Sequence, residues 1–98
     1  MDKTCPITKT LTYLSKKWTL IILRELNTNG GHGFNELQRA IEDIIPRTLS
    51  KRMKELEKME IVSKTKFNEV PPRVEYKLTA KGKDLIRCFE YLDSWAKK

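Results

Sequence analysis

Apolar residues recur at helical spacing near the start of the chain, where Ile7, Leu11 and Leu14 share one side of a helix over residues 5–15. Pro6 suits its first turn, where a missing amide hydrogen costs nothing. From Trp18 to Leu26 the run Leu20, Ile21, Ile22 and Leu23 leaves little polar surface, the pattern of a central helix covered by neighbours on most sides. Asn27 to Gly33, with Gly30 and Gly31, interrupts the periodicity as an exposed turn. Asn35 then stands where it can cap a short helix, with Gln38 three residues on and Leu37 and Ile41 pointing inward. Glu42 to Ile45 makes a tight connection, and Pro46 opens a longer helix that reaches about Met59.

Beyond Met59 the residue types change. Val62 to Phe67 and Val74 to Leu78 carry β-branched and aromatic residues on either side of a Pro71-Pro72 turn, which reads as a hairpin. Thr79 caps a last helix, over residues 80–96, in which Leu85, Ile86, Phe89, Leu92 and Trp95 repeat at three and four residues. Two helices joined by a tight turn and followed by a hairpin spell a winged helix-turn-helix. The expected fold is thus α+β and mainly α: one domain over residues 1–98, with a second helix of the motif at 46–59 and a two-stranded wing at 62–78.

A chain of 98 residues builds one hydrophobic core, and apolar side chains near both ends suggest that a second subunit supplies part of the burial. The formal charge of +7, from 20 Lys and Arg against 13 Asp and Glu, favours a polyanionic partner such as nucleic acid or an anionic membrane surface. The densest apolar stretch, Leu20 to Leu23, is far shorter than the roughly 20 residues that span a bilayer, so no membrane segment is expected. Cys5 and Cys88 do not make a disulfide framework and no export segment is evident, which places the protein in a reducing cytoplasm.

The helix at 46–59 divides by side. At about 100° per residue, Leu49, Met53 and Leu56 fall together and point inward, while Arg47, Lys51, Lys54 and Lys58 cluster opposite, flanked by Thr48 and Arg52. A helix entering the major groove of double-stranded DNA needs that division. Arg47 and Thr48 are the candidates for base edges and Lys51, Arg52 and Lys54 for phosphates or flanking bases, with Ser50 also among the DNA-binding residues. The hairpin adds Lys64, Lys66, Arg73 and Lys77 for a backbone or minor groove. Lysine-rich surface helices are common, and the stripe acquires meaning from its place in the motif and from the basic hairpin that follows.

These residues resemble the HxlR family of regulators over nearly the whole chain. The likeness runs through Cys5-Pro6, Lys17-Trp18, Leu23-Arg24-Glu25-Leu26, Phe34-Asn35-Glu36-Leu37 and Pro46-Arg47-Thr48-Leu49-Ser50. It continues in Val70-Pro71-Pro72-Arg73-Val74-Glu75-Tyr76, Leu78-Thr79 and Gly82. The resemblance implies a homodimeric winged helix that binds operator DNA, with the first and last helices at the interface; the residues that would line it are Ile7, Leu11, Leu14, Leu85, Phe89, Leu92 and Trp95. Three positions depart from the family pattern. Ile45 replaces a capping Ser or Thr, Glu60 replaces a helix-ending Gly, and Ser15-Lys16 replaces glycines before Lys17-Trp18.

Cys5 lies at the start of the first helix, where the helix dipole with Lys3 and Lys9 favours the thiolate, and the resemblance implies a response to oxidants or electrophiles there. An inert interface thiol is the plainer reading, and Cys88, beside Leu85 and Leu92, is expected in core or interface packing. Trp18 and Trp95 sit on apolar helical sides and are read as core. His32 and two remote cysteines lack the spacing of a metal site, and no catalytic constellation or cofactor motif is present, so neither an enzyme nor a cofactor is expected. The reading is a repressor on a palindromic operator, with any small-molecule effector unidentified. Its rivals are a winged-helix protein interaction module and a nonspecific architectural DNA protein.

Overall fold

The computed structural model describes residues 6–28 and 32–98; Cys5, Gly30 and Gly31 lie outside them. In chain order the elements are α1 (Pro6–Leu14), α2 (Thr19–Thr28), α3 (Phe34–Ala40), α4 (Pro46–Lys58), β1 (Val62–Phe67), β2 (Arg73–Leu78) and α5 (Ala80–Ala96). β1 and β2 pair antiparallel, with Val62 opposite Leu78 and Phe67 opposite Arg73. Among the described residues, no helix is long and apolar enough to cross a membrane.

α2 is the centre, packing against α1, α3, α5 and β2. It buries Ile22, Leu23 and Leu26 among Leu37, Ile41, Ile44, Leu49, Met53, Leu56, Tyr76 and Ile86. Its neighbours cover it on fewer sides than the apolar run suggested: Leu20 and Ile21 are 44% and 46% exposed. Leu14 moves the other way. It is buried in the subunit's own core, whereas Ile7 and Leu11 on the same helix are exposed. The expected interface position of Leu14 is therefore corrected, because the α1–α2 turn folds the end of α1 back onto α2.

α5 is a 17-residue helix, roughly 25 Å long, and the rest of the chain reaches only its first half. Ile86 is buried and Leu85 and Phe89 pack against the core, but every residue from 90 onward is exposed. Trp95, at 72% exposure, is not a core residue, and Cys88 also faces solvent in the subunit. Trp18 does pack against the core.

The ends of the helices explain how the motif holds its shape. α3 is capped by Gly33 in an extended conformation, not by Asn35; the Glu36 carboxylate accepts from the Gly33 amide at 3.4 Å. Gln38 reaches across instead, donating to the Ile44 carbonyl and tying α3 to the approach of α4. α4 ends with Met59 still right-handed and Glu60 at φ +63°. The Glu60 amide donates to the Glu57 carbonyl at 2.9 Å and the Ile61 amide to Leu56 at 3.0 Å, a Schellman ending completed without glycine. Among the described residues, the other non-glycine positions with positive φ, Trp18 (81°) and Asp43 (67°), also stand at joints, one opening α2 and one preceding α4.

The backbone of Ile61 joins α4 to α5 at the entry of β1. Its amide closes α4, its carbonyl accepts the Thr79 amide at 3.0 Å, and Thr79 in turn caps α5 by accepting from the Gly82 amide at 3.0 Å. A Cβ built on Gly82 would stand 2.2 Å from the Ile61 carbonyl oxygen, so α5 approaches this peptide as only glycine permits.

A polar cluster fixes α4 against the α1–α2 turn. Glu55 on α4 accepts from Lys16 at 2.6 Å and from Arg52 at 3.2 Å, while Arg52 Nε donates to the Lys17 carbonyl at 2.9 Å. Burial pushes the Glu55 carboxyl up, but the Lys16 hydrogen bond, the Lys16 and Arg52 charges and the Arg52 hydrogen bond together outweigh it and hold the group below its ordinary value.

Two outcomes follow. Gly82→Ala lowers unfolding stability by about 1–3 kcal/mol, read from urea midpoints, because the new methyl meets backbone and not a movable side chain. Glu55 is depressed when folded, so its stabilisation is present above the unfolded carboxylate range and disappears as pH falls through the folded value. Glu55→Gln is accordingly less stable than the parent by about 1 kcal/mol at neutral pH, and the gap closes on acidification.

Candidate nucleic-acid interface

α4 has the largest separation of apolar and polar sides in its own sequence, and the structure uses both. Leu49, Met53 and Leu56 are buried, and the helix packs against β1 as well as the core. Arg47, Lys51, Lys54 and Lys58 are exposed on the other side, and Thr48 and Ser50 are half-buried at its edges. Among the described residues, Arg47, Lys51 and Lys54 make no ion pair or side-chain hydrogen bond.

Arg52 differs. Its side chain is 15% exposed and is held by Glu55 and the Lys17 carbonyl, so it braces the helix rather than offering a free cation. The sequence signal for this was local: Glu55 lies three residues after Arg52, a spacing at which helical side chains meet. Lys16, 39 residues away from Glu55, carried no such signal.

At the start of α4, Ile45 supplies no side-chain cap and Pro46 occupies the first turn. The amides that follow, from exposed Arg47 onward, therefore have no capping partner from this residue, at the helix end whose dipole is positive. An anion approaching Arg47 meets both a guanidinium and uncapped backbone donors.

The wing sorts its cations by the two-residue period of a strand. Lys64 lies opposite Tyr76 and Lys66 opposite Val74, so both share one side of the ribbon, with the Lys64 ammonium 6.0 Å from the Tyr76 ring centroid. Arg73 and Lys77 lie on the other side. Arg73 stacks 4.1 Å from the Phe67 ring centroid and pairs with Glu69 at 3.3 Å and Glu75 at 3.5 Å; Lys77 pairs with Glu75 at 3.4 Å. The side bearing Arg73 is thus largely neutralised within the hairpin, while Lys64 and Lys66 remain exposed without carboxylate partners among the described residues.

His32 fixes the base of this ribbon. Its amide donates to Tyr76 at 3.0 Å and its carbonyl accepts from Tyr76 at 2.7 Å, a one-residue third strand that the turn-like composition around it concealed.

Among the described residues, the large apolar side chains that the subunit leaves exposed fall on three helices, apart from Ile45 and Val70. Ile7 and Leu11 on α1 and Tyr91, Leu92 and Trp95 on α5 are exposed. Leu20 and Ile21 on α2 line a cleft of about 590 Å³ with Phe89 and Leu92. Sequence periodicity placed α2 inside and so did not reveal its share of this surface.

Comparison with known proteins agrees with this architecture. The family model described as HxlR-like helix-turn-helix matches residues 13–98. The chain is 39% identical over 93 residues to the HTH-type transcriptional regulator YvaP of Bacillus subtilis strain 168, covering 94% of this chain and 85% of that one. Among solved structures it is similar to the reduced form of the transcriptional regulator YodB from B. subtilis, with a TM-score of 0.86, 35% identity and coverage of 95% and 91% of the two chains. It is also similar to the redox regulator HypR in its oxidised form, with a TM-score of 0.84, 33% identity and coverage of 95% of each chain. With the family model covering most of the chain and relatives of this identity, the chain belongs to the HxlR-like helix-turn-helix family of transcriptional regulators.

Proposed function

We propose that this regulator acts as a homodimer in the cytoplasm, sets two copies of α4 into successive major grooves about 34 Å apart on a palindromic operator, and represses by occluding a promoter. The observation that carries the reading is the unpartnered cationic side of α4, Arg47, Lys51 and Lys54, opposite the buried Leu49, Met53 and Leu56. Arg47 and Thr48 address base edges. Lys51, Lys54 and Ser50 meet phosphates, with Lys64 and Lys66 on the wing contributing more than Arg73, whose charge is already shared with Glu69 and Glu75. Arg52 positions α4 and leaves the direct contact set.

Two-fold pairing is supported by the apolar residues that one subunit leaves uncovered. Ile7, Leu11, Leu92 and Trp95 belong to this surface, Leu85 and Phe89 support it from the core side, and Leu20 and Ile21 extend it onto α2. Leu92→Asp puts a charge into that surface, and sedimentation at micromolar concentration then shows monomer where the parent shows dimer.

For DNA, the parent loses affinity steeply with added salt and prefers its selected operator to bulk DNA. Arg47→Ala costs about 1–3 kcal/mol and relaxes preference at one base step, measured on operators selected from genomic fragments. A small, uniform weakening on all sequences identifies a nonspecific architectural protein, and the absence of a salt slope identifies a protein interaction module.

A redox or electrophile response through Cys5 is also proposed. Its support is the sequence position beside Pro6, at the start of α1, together with likeness to a regulator solved in an oxidised form. Mild oxidant changes operator binding of the parent and leaves Cys5→Ser unaffected; equal responses of the two proteins remove Cys5 from the switch.

A further inference from the structure

A concavity of the subunit lies at the C-terminal end of the cationic side of α4, where Lys58 stands, between α1, the end of α4 and the start of α5. It encloses about 700 Å³, within the range that holds small organic ligands. Lys9 and Tyr13 of α1, Lys58 and Met59 at the end of α4, and Lys81 of α5 line it, and the Lys16–Glu55 pair forms part of its wall.

The chemistry of the wall is specific. Four lysines, Lys9, Lys16, Lys58 and Lys81, face two carboxylates, Glu55 and Glu60. Lys16 is bound to Glu55, and Lys81 donates to the Met59 carbonyl at 3.1 Å. Lys9 and Lys58 have no side-chain hydrogen bond or ion pair among the described residues, and they approach the cleft from different helices. The Tyr13 ring, with the Lys16 ammonium 5.0 Å from its centroid, and Met59 and Pro6 supply the apolar and aromatic part of the wall.

We propose that this cleft is a binding site for a small aromatic carboxylate, its carboxylate held between Lys9 and Lys58 and its ring against Tyr13 and Met59. A single anion balances the surplus positive charge better than a neutral molecule, and a ring covers apolar wall that a bare inorganic anion leaves wet. At about 100° per residue, Lys9 and Tyr13 lie on a side of α1 turned from Ile7 and Leu11, with Thr10 at the border, so a second subunit seated on Ile7 and Leu11 leaves Lys9 and Tyr13 uncovered. The site is independent of the DNA reading, since it is tested without DNA.

The test is titration of the full chain, labelled with nitrogen-15, by sodium benzoate at constant ionic strength, with inorganic phosphate and benzyl alcohol as parallel arms. Benzoate is expected to give saturable amide shifts at Lys9, Tyr13, Lys58 and Met59. Lys9→Gln and Lys58→Gln, both exposed positions, each weaken it by about tenfold, the size of one lost charge-assisted hydrogen bond. Lys64→Gln and Lys66→Gln on the wing remove the same charge and leave benzoate affinity unchanged. Absence of saturation, equal weakening by the wing variants, or binding of phosphate or benzyl alcohol as tight as benzoate overturns the assignment.

Discussion

The burial of one side of α4 is the constraint on which everything else depends. Leu49, Met53 and Leu56 leave the helix a single rotation about its axis that satisfies the core, and that rotation turns Arg47, Lys51 and Lys54 to solvent. The cations need no structure of their own to be presented; they are placed by the apolar residues behind them. An exposed charge is inexpensive in folding energy wherever it stands, so the positive surface is set by hydrophobic geometry and not by electrostatics within the subunit.

The polar cluster at Glu55 refines that placement. Hydrophobic contact tolerates small sliding of a helix, whereas hydrogen bonds from Lys16 and Arg52 to one carboxylate do not. The same carboxylate thereby connects the α1–α2 turn to the middle of α4. Arg52 illustrates how a residue in a basic stripe acquires a different role when a carboxylate three positions later and a backbone carbonyl from another element converge on it.

What could be read from the sequence was whatever depends on neighbours along the chain. The inward stripe of α4, the Thr79 cap, the hairpin around Pro71-Pro72 and the uncapped start at Ile45 follow from spacing or from single residue types. The motifs running from Lys17-Trp18 to Gly82 carried the family as well. The basic side of α4 was legible for the same reason. What escaped depends on how elements meet. Leu14 and Ile21 are both apolar helical residues, yet one is covered and the other bare because of where α1 turns back and how far α5 extends. Trp95 was read as core from its type and spacing, but α5 runs past the body that would have covered it. Asn35 lost the capping position to Gly33 because Phe34, which packs on the core, belongs inside the helix. The split of wing cations into paired and unpaired sides required the register, which no composition reveals.

The junction at Ile61 has a mechanical consequence. One residue, Ile61, terminates α4 with its amide and accepts the Thr79 amide at the start of α5 with its carbonyl, and Gly82 lets the two helices close on it without a side chain between them. The helix that faces outward with its cations and the helix that carries Leu92 and Trp95 are therefore fastened at a common pivot. In the homodimer proposed above, a displacement of α5 at the seam would therefore carry α4 with it, altering the separation and mutual tilt of the two copies of α4.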